Sequence, residues 1–269
     1  MDLNTVSDFV THPQLTDWRE GDAWLAGGTW LFSEPQPAVR RLLDLTTLGW
    51  PALTVDDQGL EIAATCTIAE LRDFRTPAGW TIAPLVRQCC EAFLASFKIW
   101  NEATVGGNLC NALPAGPMTS LTAALDGTCL IQGPLGERQV KAVDFVIGDN
   151  RHVLQPGEWL RSIQLPKTAL TGRTAFRRQS LKTYGRSAAL LIGRTAPRVN
   201  DGWILTITAS VQHPVQIAFP RDAGAGEVRG AVMSAVPDGL WHDDVHGLPA
   251  WRRHLTLTFA EEIRQELAA

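Results

Sequence analysis

Residues 103–116 read ATVGGNLCNALPAG, and the meaning of that stretch decides the fold. Two adjacent glycines, Gly106 and Gly107, stand between the β-branched Thr104 and Val105 and the polar Asn108, and prolines follow at 114 and 117. Glycine reaches positive φ and lets another group approach bare peptide N–H groups, at an entropic cost. A tight turn after a strand satisfies the pattern as well as a ligand does. A second doubled glycine, LAGGTWL at 25–31, repeats the design: an apolar approach, Gly27-Gly28, then the hydrogen-bonding Thr29. Successive N–H groups in glycine turns form concave nests for anions, and a diphosphate is large enough to engage two of them. Ala26, Gly27, Gly28 and Thr29 would form one jaw, with Thr104, Val105, Gly106, Gly107 and Asn108 as the other. Spacing alone leaves two readings open, a phosphate-bearing ligand or two unrelated turns.

The chain has 269 residues, 45% of them apolar, enough for one large domain or two modest ones with a sizeable core. Its opening, MDLNTVSDFV, has neither a basic n-region nor an apolar h-region, and no run reaches the roughly 18 apolar residues of a membrane span. The expectation is a cytoplasmic protein without a membrane span. Cys66, Cys89, Cys90, Cys110 and Cys129 are scattered and form no CxxC pair, so they read as buried thiols rather than as disulfides or as zinc or iron–sulfur ligands. The net charge of -4 argues against a nucleic-acid partner. From Trp159 to Asn200 there is no acid, while Arg161, Lys167, Arg173, Arg177, Arg178, Lys182, Arg186, Arg194 and Arg198 are basic. That run reads as a solvated face, or as a surface for a partner subunit or an anionic acceptor.

Along the chain, the opening reads as two short strand–helix units. A strand follows at 60–65, and a helix over 67–74 starts in the capping box of Thr67 and Glu70. In APLVRQCCEAFLAS, Leu85, Val86, Cys89, Cys90, Phe93 and Leu94 recur at helical spacing. MTSLTAALDG predicts a short helix, and TCLIQGPLGERQVKAV a hairpin turning at Gly133, Pro134 and Gly136. A boundary falls near IQLPKTALTG. Beyond it, WILTITASV and PVQIAFP predict strands, and the terminal helix places Leu255, Phe259, Ile263 and Leu267 on one face. No Walker A loop is present. GAGEVRG at 224–230 misses the Rossmann spacing by one residue and reads as a loop.

LAGGTWL, NEATVGGNLCNALPAG, LTAALDGTCLIQGPLGER, IQLP and DDVHGLPAWRRHL, in this order, resemble the FAD-binding medium subunit of molybdenum hydroxylases of the xanthine dehydrogenase, carbon monoxide dehydrogenase and aldehyde oxidoreductase type. The resemblance covers nearly the whole chain. It implies an α+β architecture with a vanillyl-alcohol-oxidase (PCMH)-type FAD-binding fold over 1–168, in subdomains of about 1–55 and 56–168. A C-terminal domain of antiparallel sheet and helices follows over 169–269. It implies FAD on this chain, held through Ala26–Thr29 and Thr104–Asn108, with Leu25, Trp30, Leu31, Ala103, Pro114, Ala115, Thr119 and Leu165 at the same site and Lys182 tuning the reduced ring. It further implies a molybdopterin cofactor on a large partner subunit, [2Fe-2S] clusters on a small one, and NAD+, oxygen or another final acceptor. The flavin carries the redox chemistry, and no side chain is assigned as acid or base.

Three positions depart from the family pattern. Pro117 stands where an Asp is usual, which removes an expected hydrogen bond that Thr119 or Ser120 would have to supply. Trp30 and Trp100 replace an Asp and an Arg. These departures motivate an alternative reading as a flavin-free scaffold subunit. A second alternative is a self-contained flavin oxidase, which lacks a catalytic His or Tyr constellation; Tyr184 is the only tyrosine. His242 and His246, four apart, would form a metal pair only on a helix, and the Gly247 and Pro249 that follow argue against one. His254, in the terminal helix, reads as a packed or surface residue.

Overall fold

The computed structural model describes residues 4–196 and 202–269. Three sheets follow one another along the chain. The first is parallel, with β1 (Asp8–Thr11), β2 (Asp22–Leu25) and β3 (Arg41–Asp44) in the order β1-β3-β2. The α-helices expected in this opening do not form: before residue 68 the described chain has only the 3-10 turns Leu15–Asp17 and Leu45–Leu48. Pro13, Pro35 and Pro37 interrupt the connections, and proline removes the N–H that a continuing helix needs. A largely buried ion pair ties β2 to β3 beside their backbone pairing. Arg41 Nε and Nη2 donate to the Asp22 carboxylate at 2.9 and 2.6 Å. Burial alone pushes the Asp22 carboxyl up, but the Arg41 guanidinium and the Arg19 N–H outweigh it and hold the group below the usual carboxylate range.

The second sheet is antiparallel. It comprises β4 (Leu53–Val55), β5 (Gly59–Ala63), β6 (Thr128–Gly133), β7 (Gly136–Lys141) and β10 (Trp159–Pro166), in the order β4-β5-β10-β6-β7. The ribbon of β8 (Val146–Gly148) and β9 (Arg151–His152) lies between β7 and β10 in sequence. With this sheet, in one core, go α1 (Ile68–Asp73), α2 (Ala83–Ala92), α4 (Val105–Asn111), α5 (Pro117–Ala124) and α6 (Ala142–Phe145), while α3 (Phe97–Glu102) lies against α1. The capping box forms as read: Thr67 Oγ1 accepts from Glu70 N–H, and Glu70 accepts from Thr67 N–H. Leu85, Val86, Cys89 and Cys90 are buried on α2. The β6–β7 hairpin pairs Gly133 with Gly136 around Pro134–Leu135. Tryptophans join the first two sheets: Trp24 lies edge-on to Trp159 at 4.8 Å between centroids, with Trp18 stacked on Trp24 and Trp50 edge-on to Trp159 at 5.8 Å.

The third sheet is a meander of β11 (Thr174–Gln179), β12 (Ala189–Ala196), β13 (Gly202–Thr208) and β14 (Val215–Phe219), backed by α7 (Ala225–Ala235) and α8 (Pro249–Ala268). One reading is corrected here and another extended. GAGEVRG is the start of α7 rather than a loop; Gly226 and Gly230 face open space while Val228 and Val232 are buried and anchor the helix. The buried face of α8 runs through Arg252, Thr256, Ala260, Ile263 and Leu267, leaving Leu255 and Phe259 half-buried. The helix turns this way because it crosses β12 at Gly193, where a methyl would lie 2.2 Å from Ile263.

The wholly buried α5 ties the second sheet to the third. Ser120 and Thr208 hydroxyls meet at 2.7 Å, Gln216 Nε2 donates to Ala123 O at 2.7 Å, and Arg194 donates to Ala124 O at 2.9 Å and to Asp126 at 2.5 Å. Among the described residues no helix is long and apolar enough to cross a membrane.

Candidate cofactor site

The first glycine loop leaves the C-terminal end of β2. Gly28 takes φ +68°, a conformation glycine adopts without strain, and its carbonyl accepts from Phe32 N–H at 2.8 Å to close one helical turn. As at any helix start, the first N–H groups of that turn have no partner behind them. Among the described residues, the N–H groups of Gly27, Gly28, Thr29, Trp30 and Leu31 donate to no acceptor in the chain. A half-buried run of unengaged donors is what an anion nest requires.

The second loop is the start of α4, capped by Thr104, whose Oγ1 accepts from Gly107 N–H at 2.9 Å. Its other leading donors are also engaged: Val105 N–H with Cys66 O at 2.8 Å and Gly106 N–H with Ala64 O at 2.9 Å. This loop therefore offers the exposed edge of Gly107 and the Asn108 side chain. Asn108 Oδ1 accepts from Met118 N–H at 3.0 Å, which leaves its amide nitrogen pointing to no acceptor among the described residues.

The glycines answer to different constraints. A methyl on Gly27 would sit 1.7 Å from the Glu102 carbonyl oxygen, so Gly27 is the point where the first loop presses against the second. A methyl on Gly106 would sit 2.5 Å from Ala64, at the end of β5. Only Gly107 meets nothing beyond its own cap, Thr104 Oγ1 at 2.9 Å.

The structure thus brings Ala26–Leu31 and Ala103–Asn108 together. Ala103 is buried between them, and Leu25 is buried at the end of β2. The Asn108–Met118 bond draws in the following segment, where Pro114 is buried with its carbonyl on Ala209 N–H at 2.8 Å, and Ala115 is half-buried. Ser120 is fully engaged with Gly116 O and Thr208, whereas the Thr119 hydroxyl is covered and has no partner among the described residues. Leu165 lies fully buried on β10, paired with Leu60, in the same core cluster as Val105 and Leu109 of α4, and Lys182 is exposed on the β11–β12 connection.

Residues 8–168 match the family model for the FAD binding domain in molybdopterin dehydrogenase, a span that includes both glycine loops. The chain belongs to this family. It is 32% identical over 123 residues to xanthine dehydrogenase of Oryza sativa subsp. japonica, an alignment covering 43% of this chain and 9% of the rice protein. It is 24% identical over 275 residues to the 6-hydroxypseudooxynicotine dehydrogenase complex subunit alpha of Paenarthrobacter nicotinovorans, covering 95% and 90% of the two chains. A chain in the crystal structure of quinoline 2-oxidoreductase from Pseudomonas putida 86 superposes with a TM-score of 0.80 at 20% identity, over 98% and 96% of the two chains, and so shares the fold.

The residues of the FAD-binding domain fit the cofactor named by the family. The unengaged donors of the first loop suit a diphosphate, and the half-exposed Trp30, at 47%, offers an aromatic face beside them. Burial pushes the Cys90 and Cys110 thiols up to about 12, and Cys66, Cys89 and Cys129 also rise, so none is poised as a thiolate. Among the described residues no cluster of three His, Cys, Asp or Glu side chains could hold a metal. His242 and His246 are not on a helix; Asp244 lies between them, with His242 Nε2 at 3.2 Å. Two clefts of about 360 and 370 Å³, one lined by α7 and α8 and the other by α2, β11 and α8, contain no residue of either glycine loop.

The arginine of greatest structural consequence was not singled out by the sequence. Arg252 is fully buried and donates to the carbonyls of Gly247 (2.9 Å), Ala188 (2.7 Å) and Ala209 (2.6 Å) and to Asp244. The RRHL ending carried its position, but nothing in composition or spacing marks a buried cation.

Proposed function

We propose that this chain is the FAD-carrying electron-transfer subunit of a molybdenum hydroxylase. In this reading it takes electrons from [2Fe-2S] clusters on a small partner subunit and passes them to NAD+, oxygen or another acceptor, while the organic substrate is oxidised at a molybdopterin cofactor on a large subunit. The fold is read as vanillyl-alcohol-oxidase (PCMH)-type, with subdomains of about 1–55 and 56–168 and a C-terminal domain over 169–269, in a cytoplasmic complex. The observation that carries the reading is the set of unengaged N–H groups from Gly27 to Leu31, held against the second loop by the Gly27–Glu102 contact.

When bound, FAD supplies two-electron redox chemistry through its isoalloxazine ring. The chain's own residues hold and orient it. The first-loop N–H groups would donate to the oxygens of the anionic diphosphate, where hydrogen bonds to charge are about twice as strong as neutral ones. Asn108 adds its amide nitrogen from the second loop. The Asp22–Arg41 pair fixes the strand from which the first loop departs. Lys182 is assigned to stabilise negative charge on the reduced ring.

Flavin analysis of the purified complex tests this. About one acid-released FAD per chain supports the proposal. A complex with no flavin would favour the scaffold reading, to which the already engaged donors of the second loop lend support.

A further inference from the structure

Several cations of the acid-free run are tied locally. Arg161 lies over the Trp50 ring at 4.4 Å, Arg177 pairs with Glu262 and Glu266 at 2.6 and 2.8 Å, and Arg194 pairs with Asp126. Lys167, Lys182 and Arg186 are exposed, and Arg198 lies outside the described residues. Arg252, beyond that run, is of another kind. It is 1% exposed and carries its charge into the interior, against the single carboxylate of Asp244. A charge is expensive to bury, so stability alone is a weak reason to keep one there.

The carbonyls that Arg252 holds come from three segments: Gly247 before α8, Ala188 before β12 and Ala209 after β13. Ala209 is the unusual one. It is fully buried with φ +63°, a left-handed conformation that alanine avoids, and Ser210 N–H donates across it to Thr208 O at 2.7 Å to close a three-residue turn. The turn aims the two polar groups of residue 209 at different partners. Its carbonyl accepts from Arg252 Nη1 at 2.6 Å, and its N–H donates to Pro114 O at 2.8 Å. Strain of this kind persists only where the surroundings enforce it, and it gathers at functional sites.

Pro114 belongs to the segment that leaves the second glycine loop. Ala112, also fully buried and at φ +49°, ends α4, and Gly116 N–H donates to Leu113 O at 2.9 Å as the chain turns into α5. Pro117 has no N–H, so the first donor of α5 is Met118, which meets Asn108 Oδ1 at 3.0 Å. A backbone N–H requires an oxygen, so this bond fixes which end of the Asn108 amide faces it and leaves the amide nitrogen to a ligand. Hydrogen bonds and one tight turn thus connect Arg252, through the Ala209 peptide and Pro114, to Asn108.

We propose that Arg252 is a positioning residue for the cofactor. By holding the Ala209 peptide it fixes the segment over 112–118, and with it the direction in which Asn108 offers its amide nitrogen to the anionic part of FAD. The inference rests on reading the two glycine loops as the FAD site, and adds to it a residue of the C-terminal helix.

The test measures FAD affinity of the deflavinated complex by fluorescence titration, at a temperature where every variant is folded, in a double-mutant cycle. Asn108→Ala should weaken FAD about tenfold, the loss of one hydrogen bond to a charged group. Arg252→Met should weaken it by a similar factor, and the double variant should bind no more weakly than either single one. Arg252→Lys keeps the charge but not the fork that spans several carbonyls, and should weaken FAD in the same sense where the Met variant folds poorly. Val228→Ala, a buried truncation on α7, should unfold more readily than wild type yet bind FAD within about threefold of it. Arg252 variants that bind within about threefold of wild type, factors that multiply in the double variant, or equal weakening by Val228→Ala would each overturn the proposal and leave the cofactor reading in place. A wild-type complex that takes up no FAD would overturn both. The link is also read without FAD: the Ala209 and Met118 amides should exchange faster in Arg252→Met than in Val228→Ala, and equal exchange would overturn the positioning role.

Discussion

Gly27→Ala tests the apposition of the two loops on which the cofactor site depends. The new methyl would lie 1.7 Å from the Glu102 carbonyl oxygen, 2.6 Å from its carbonyl carbon and 3.2 Å from Ala103 Cα. Non-bonded heavy atoms rest about 3.5 Å apart, so the loops must separate by about 2 Å. Every atom in the clash on the Glu102 side is backbone, so no side chain can rotate away. Overpacking of this kind costs about 1–3 kcal/mol of stability. The effect on FAD should be larger. A displacement of that size carries the first-loop N–H groups out of hydrogen-bonding range of a diphosphate still anchored on the Asn108 side. Losing two hydrogen bonds to a charged group, at about 1.5–3 kcal/mol each, amounts to a 100-fold weakening or more. The assay is fluorescence titration of deflavinated complex with FAD, with Gly226→Ala on the open face of α7 as a control that should bind like wild type. FAD affinity of Gly27→Ala within about threefold of wild type, on the scale where 1.4 kcal/mol is tenfold, would refute the reasoning.

Three further outcomes follow from named contacts. Asp22→Asn leaves the Arg41 guanidinium buried without its counter-charge and should cost about 3–5 kcal/mol in urea unfolding at pH 7. Because the folded-state pKa of Asp22 is lowered, its contribution is present above the ordinary aspartate value of about 3.9 and is lost as pH falls through the lower folded value; the wild-type excess over the variant should shrink only in that acid range. Arg252→Met strands the carbonyls of Ala188, Ala209 and Gly247 and unpairs Asp244, with an expected loss of about 3 kcal/mol; a melting temperature equal to wild type would show that the clamp carries no load. Lys182→Met should lower the flavin reduction potential in a dye-linked titration while Lys167→Met leaves it unchanged, and equal potentials for both would remove Lys182 from the site.

Where local chemistry determines structure, the sequence was a good guide. The Thr67–Glu70 capping box, the apolar face of α2 and the Pro134–Leu135 hairpin each depend on residues a few positions apart, and each formed. The two glycine loops were also recognisable as a pair, and they do meet. What could not be read was the reason for each glycine: Gly27 answers to Glu102 and Gly106 to Ala64, partners set by tertiary packing. The same limit applies to the basic run, whose Arg177 is neutralised by Glu262 and Glu266 from α8 far along the chain. The terminal helix shows the same limit: its apolar spacing picked out Leu255, Phe259, Ile263 and Leu267, all of which pack on the core, but not that contact with Gly193 and the demand of three carbonyls for a donor turn Arg252 and Thr256 further inward. The opening failed as a helical prediction because prolines cut connections between strands only four residues long.

Hydrogen exchange of the complex with and without FAD tests the central claim most directly, read at two sets of backbone amides. Among the described residues the N–H groups of Gly27 to Leu31 have no acceptor, so they should exchange fast in the deflavinated complex and become protected when FAD is added. Val105, Gly106 and Gly107 already donate to Cys66, Ala64 and Thr104 and should be protected in both states. Added FAD that leaves Gly27–Leu31 exchanging as before would contradict the account.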